Sequence, residues 1–234
     1  MATKTSTGPS TAERVRSACV RAQDAVLAIE GSDPTATSVH HLRSNGDVVV
    51  AVPHASAAAA LAWNSGGGGL PAVLEITDHA PLRLREPVRS LVWLRGSLHA
   101  VPDYEARVLA DDVASEHPHP GLLDIGHTSV LLRLSLASAV VADATGAEPV
   151  AVDELLNASP DPFWEMETAW LQHLDEDHRD SWTCSYASFP RTCAPDAFAH
   201  SASTATDFAC GSRITPVTAT CGCRSPTPST TLPR

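Results

Sequence analysis

Apolar positions in this chain recur first at helical and then at strand spacing. Ser10-Thr11-Ala12-Glu13 has the form of a capping box, in which a hydroxyl and a carboxylate satisfy the free amides of a helix start. Val15, Ala18, Cys19, Ala22 and Val26 come after it at three- to four-residue intervals. The spacing predicts an amphipathic helix over 11–29. Period two then takes over at 38–43 and 47–52, around Asn45-Gly46, a pair suited to the positive φ angles of a type I′ hairpin. A short Ala-rich helix at 56–63 leads into Gly66 to Gly69. That run lacks both a following Lys-Ser/Thr and G-x-G-x-x-G spacing, so it reads as a flexible linker rather than a phosphate cradle.

Strands are predicted at 72–77 and 89–98, a helix at 102–116 with Pro102 in its first turn, and strands at 130–136 and 139–143. A helix opening at 153–156 is broken by Pro160-Asp161-Pro162 and resumes over 163–180. Met166, Trp170 and Leu174 form its apolar stripe. Six short strands with interspersed helices do not alternate as a doubly wound sheet does. Closure into a small barrel hides their edges. The expected fold is α+β: a six-stranded, mostly antiparallel split β-barrel with outer helices, followed by a truncated α/β C-terminal domain. The boundaries are a flexible start at 1–10, the barrel at 11–148, and the helical start of the C-terminal domain at 149–180.

After Asp180 the pattern stops. Residues 181–234 hold five of the six cysteines, no Lys and no Glu. A low-complexity tail fits that composition. A slipped reading frame fits it better. When one base is restored after the Asp180 codon, with GC-rich codon choices, the new frame opens at helical period. It continues with Leu/Arg/Val alternation and a polar turn, order that a wrong frame seldom yields. The tail is therefore read as a frameshifted, non-native segment, and a damaged gene product is one alternative for what the chain is.

Charge narrows the functions. The net charge is −11, from 16 Lys+Arg and 27 Asp+Glu. Four Arg and two Asp lie in the tail, which leaves residues 1–180 at −13. An acidic body argues against a nucleic-acid partner. No segment is apolar enough to span a membrane and the first ten residues lack the apolar core of a signal peptide, so a cytoplasmic protein is expected. Cys19 is the lone cysteine before the break, consistent with a reducing compartment.

Candidate chemistry is sparse. His173 and Asp177 stand at i, i+4 of the last helix, where a carboxylate orients an imidazole. His178 lies on the Trp170/Leu174 face. A solvated face, a haem or metal ligand, and a partner contact are all compatible with this run. Arg89 and Arg95 are separated by an even number within the basic cluster that also holds Arg83 and Arg85. On a regular strand they share a face, and together they could hold a phosphate or carboxylate. His40 and His41 are adjacent on a strand, so one is expected inside and one outside. His117-Pro118-His119-Pro120 reads as a stiff exposed loop. No G-x-S-x-G or H-E-x-x-H is present, and catalytic residues are not assigned.

Three segments carry a resemblance. Arg89 to Leu98, followed by Val101-Pro102-Asp103, resembles the strand-then-helix segment of split-barrel flavin-binding proteins related to pyridoxamine phosphate oxidase. Leu131 to Ser135 and Ala139 to Asp143 resemble the closing strands of that barrel. His173-Leu174-Asp175-Glu176-Asp177-His178-Arg179-Asp180 is similar to the H-M-N-x-D-H-x-D motif. That motif opens the small domain of haem-utilisation proteins and of chloroplast glutamyl-tRNA-reductase-binding proteins. The nearest look-alike is an uncharacterised actinobacterial-type member. The resemblance implies a homodimer with FMN or haem at its interface, with His173, His178, Arg89 and Arg95 as cofactor-binding candidates. It equally admits a non-enzymatic regulator that binds a protein partner in tetrapyrrole metabolism. The oxidases' Arg/Lys phosphate-binding set has no match here.

Overall fold

The computed structural model describes residues 8–177, together with the backbone of two short strands, His200–Ala202 and Phe208–Cys210, which pair antiparallel with each other. His178 and the rest of the tail, including the frameshift reading, lie outside the described residues.

Helix α1 (Thr11–Arg21) is capped as its sequence dictates: the Ser10 hydroxyl accepts from the Glu13 amide at 3.2 Å and the Glu13 carboxylate accepts from the Ser10 amide at 2.7 Å. The helix stops eight residues before the expected end, because Ala22 turns to extended backbone. Strand β1 (Asp24–Ile29) takes its place, with Ala25, Leu27 and Ile29 buried in alternation. Six consecutive pairs with β5 (Leu70–His79) hold it extended. Tertiary pairing overrides the local helical pattern here.

After the short β2 (Thr35–Ala36), strands β3 (Val39–Leu42) and β4 (Asp47–Pro53) form the expected hairpin. Its turn is not type I′. Gly46 alone has positive φ, at 91°; its amide donates to Arg43 O and the Arg43 amide donates to Asp47 O. This is a three-residue loop with Gly in the left-handed position. Helix α2 (Ala57–Asn64) starts at a Ser56 cap. Strand β6 (Val88–Ala100), helix α3 (Asp103–Glu116), strands β7 (Ser129–Asp143) and β8 (Gly146–Val150), and helices α4 (Val152–Asn157) and α5 (Trp164–Asp177) complete the order.

The strands form one curled antiparallel sheet in the order β2-β1-β5-β6-β7-β4-β3, with β8 paired to β7. The sheet has eight strands rather than six, since β1, β2 and β8 add to the expectation. The two strands expected at 130–136 and 139–143 are one. Arg95 pairs with Ser138 and Gly96 with Leu136, so Ala137 bulges and β7 bends without ending. The main core holds Leu27, Leu74, Ile76, Val92, Leu94 and Leu132 together with Val15 and Cys19 of α1. A second cluster joins Val49, Ala51 and Leu131 to Ala106 and Val113 of α3. This explains why β4 is buried on both faces. Among the described residues no helix is long and apolar enough to cross a membrane.

Helix α5 docks by a different face from the one its sequence suggests. Glu167 and Leu171 are buried, whereas Met166 and Trp170 are 49% and 40% exposed. Trp170 packs instead on Phe163, ring centroids 5.3 Å apart.

Candidate functional site

The candidate cofactor residues do not converge. Arg89 sits on a bulge: Asp78 pairs with Ser90 and His79 with Val88, which leaves Arg89 as the extra residue. The bulge turns it to the buried side of the sheet. There it donates to Asp78 at 3.0 Å and to Glu167 of α5 at 2.6 Å. Arg21 at the end of α1 completes the quartet, 2.8 Å from Asp78 and 3.6 Å from Glu167. Burial disfavours the Arg89 cation, but Asp78 and Glu167 outweigh it and raise its pKa. The two guanidiniums and two carboxylates cancel, so Arg89 fastens α5 to the barrel and has no charge to spare for a ligand.

Arg95 stays exposed on β6, beside the second bulge. Arg89 and Arg95 therefore do not share a face, because one bulge re-aims Arg89. His173 is exposed on α5 and its Nδ1 lies 2.6 Å from the Asp177 carboxylate, the expected i, i+4 geometry. It lies about 9 Å along the helix from Glu167 and on another face, so it is not part of the Arg89 cluster. His178 lies outside the described residues.

A different group of residues lines a cleft of about 660 Å³ between the end of α2, the end of β6 and the start of α3. His99 and Arg133 are direct partners in the β6–β7 register. Both are half-buried and both line the cleft. Trp63 of α2, 48% exposed, forms an apolar wall with Ala62 and Pro102. The Arg133 guanidinium lies 3.9 Å from both Asp47 and Glu105, beyond hydrogen-bonding distance. Ser135 donates to Asp47 at 3.2 Å.

The glycine run shapes one side. Gly66, Gly67 and Gly69 all have positive φ, and a Cβ on Gly69 would lie 2.0 Å from Ser97 Oγ and 2.7 Å from His99 Cε1. Gly69 is thus seated against the His99 ring, while Gly66, Gly67 and Gly68 are exposed. Trp63, His99 and Arg133 carried no motif in the sequence. The weak signal was the even spacing that puts Ser97 and His99 on one side of β6.

The arrangement offers an imidazole, an indole face and a guanidinium around one space. It can ligate a metal centre held in a flat ring, stack that ring and pair with a carboxylate.

No family model matches the chain, and no curated protein matches it. Solved structures do. A heme binding protein from Mycobacterium smegmatis is 21% identical with a TM-score of 0.50, over 75% of this chain and 72% of that one. An FAD and heme binding protein from the same organism is 16% identical with a TM-score of 0.36, over 61% and 83%. A protein related to general stress protein 26, of the pyridoxinephosphate oxidase family, from Clostridium acetobutylicum is 12% identical with a TM-score of 0.37, over 57% and 88%. At these identities the likeness is one of fold. The chain has the split-barrel fold.

Proposed function

We propose that this chain is a haem- or flavin-associated split-barrel protein, and that the cleft at His99 is where the cofactor sits. One observation carries the reading: His99, Trp63 and Arg133 surround a single open space of about 660 Å³. The shared fold with a heme binding protein from M. smegmatis agrees with it.

The residues fit haem better than FMN. His99, Trp63 and Arg133 would hold the group, His99 as a ligand to its iron, Trp63 as an apolar wall and Arg133 as a cation for its carboxylates. FMN would need positive charge for a phosphate, and here one guanidinium is flanked by two carboxylates. When bound, haem supplies one-electron and oxygen chemistry, while the protein sets axial ligation and solvent access. The Cε1–Nε2 edge of the His99 ring lies against Gly69. The proposed assembly is a homodimer through the half-buried outer positions Val73, Leu91, Trp93 and Val140, none of which belongs to either core cluster.

Absorbance titration of the purified chain with haemin, and separately with FMN, tests the reading. A Soret band lost in His99→Ala and kept in His173→Ala is expected. A band lost only in His173→Ala moves the ligand to α5. Absence of spectral change with either cofactor refutes cofactor binding and leaves the partner-binding regulator.

A further inference from the structure

Four histidines from distant parts of the sequence meet at one junction. Strand β3 contributes His40 and His41. Only one was expected inside, yet both are buried, because α1 covers one side of the strand and α3 the other. His117 caps the end of α3. His119 lies two residues on, its Nδ1 accepting from the Gly121 amide at 3.0 Å. The His41 and His117 rings stack 5.9 Å apart at an interplanar angle of 11°. His117 also lies 6.0 Å from the indole of Trp164, the first residue of α5. The two histidines of the His-Pro-His-Pro segment are therefore half-buried, while Pro118 and Pro120 stay exposed.

The charged groups around this column come from every neighbouring element. On α3, Glu116 binds His41 Nε2 at 2.9 Å and is itself half exposed. Asp112 on the same helix takes Arg43, just beyond β3. On α1, Arg16 donates to Leu42 O at 2.8 Å and to Ala158 O at 3.3 Å, and the Cys19 backbone is bonded to His40. On α5, Glu165 acts on His117. Among the described residues, no group of three or more His, Cys, Asp or Glu is arranged to hold a metal ion.

We propose that this histidine column is a proton-operated latch: neutral imidazoles pack β3, the end of α3 and the start of α5 together, and acid parts them. A charge on His117 would sit half-buried beside the His41 ring stacked on it, centroids 5.9 Å apart, where burial disfavours it. Burial pushes His40 down to about 4, with His117, His119 and His41 adding to the effect and the Cys19 backbone bond opposing it. His117 is also lowered, by burial first and then by His41 and His119, against the pull of Glu165.

Both groups are depressed in the folded state. Their stabilising contribution is complete above a pH of about 6.5, the unperturbed value, and is lost as pH falls through the folded values, near pH 4 for His40. For His40 the depression biases opening by about 300-fold once the ring is charged.

Hydrogen exchange of the full chain at pH 7 and pH 5, corrected for intrinsic rates, tests the latch. Amides at 39–42 and 164–177 are expected to lose about tenfold more protection than those of β5 and β6. His117→Gln should weaken that difference severalfold and leave protection at pH 7 nearly unchanged. A uniform loss across the barrel, or an unaltered acid response in His117→Gln, overturns the proposal. So does an imidazole NMR titration of the unmodified chain in which His40 and His117 titrate with exposed-histidine values.

Discussion

Arg89 and Glu167 meet at 2.6 Å across 78 residues of sequence, joining the middle of the barrel to the helix beyond it. Asp78 binds the other arm of the same guanidinium. Three guanidinium nitrogens of this quartet, Nε and Nη1 of Arg21 and Nε of Arg89, are buried without a hydrogen-bond partner. The network is therefore held by charge pairing rather than by full hydrogen-bond satisfaction, and its response to mutation is asymmetric. Arg89→Ala leaves two buried carboxylates to share Arg21 alone and should cost about 3–5 kcal/mol. Arg89→Met combined with Glu167→Leu keeps the Arg21–Asp78 pair, leaves the site neutral and should cost far less than Arg89→Ala. Urea denaturation of both variants measures the difference.

Gly96→Ala is expected to destabilise by about 1–3 kcal/mol or more. Its Cβ would lie 2.0 Å from the Ser135 carbonyl oxygen, which is backbone of β7 and cannot rotate away. Gly68→Ala is the control, with ordinary φ and its nearest neighbour at 3.6 Å. It should shift the denaturation midpoint little.

Cys19 is fully enclosed between α1 and the sheet, and burial pushes its thiol up to about 12. At pH 8 it is a neutral thiol, and only the thiolate reacts with alkylating agents. Peptide mapping after iodoacetamide treatment should find the Cys19 peptide unlabelled in the native chain and labelled in urea. Native labelling would show that α1 opens readily.

Phe163, Met166 and Trp170 leave an apolar strip of α5 in solvent. Inserting one base after the Asp180 codon, which gives the alternative frame, is expected to cover it. Tryptophan emission should then shift to shorter wavelength, and binding of an apolar dye should fall relative to the present chain. Unchanged emission and dye binding would leave the strip without a partner in either frame.

The alternation of β5 and β6, the Ser10/Glu13 cap and the Asn45-Gly46 reversal were legible because each is set by neighbours in sequence. The end of α1 was not. Ala22 and Val26 continue the helical period, and only pairing with β5 makes Asp24–Ile29 a strand. Arg89 was misread because a bulge depends on two strands together, and one strand's spacing does not reveal it. The cleft around His99 and the column of His40, His41, His117 and His119 were illegible for the same reason. Each gathers residues from elements that meet only once the sheet has curled.

Strand β7 bonds to β6 along one edge and, in succession, to β4 and β8 along the other. It is also among the last strands to be made. As the chain leaves the ribosome, β4 and β6 wait with unsatisfied edges until residue 143 has emerged. Their pairing is long-range and slow by nature. Until β7 has emerged, the edges of β4 and β6 that pair with it are open to misassembly, and yield in a cell should depend on chaperone supply as well as on the stability of the finished barrel.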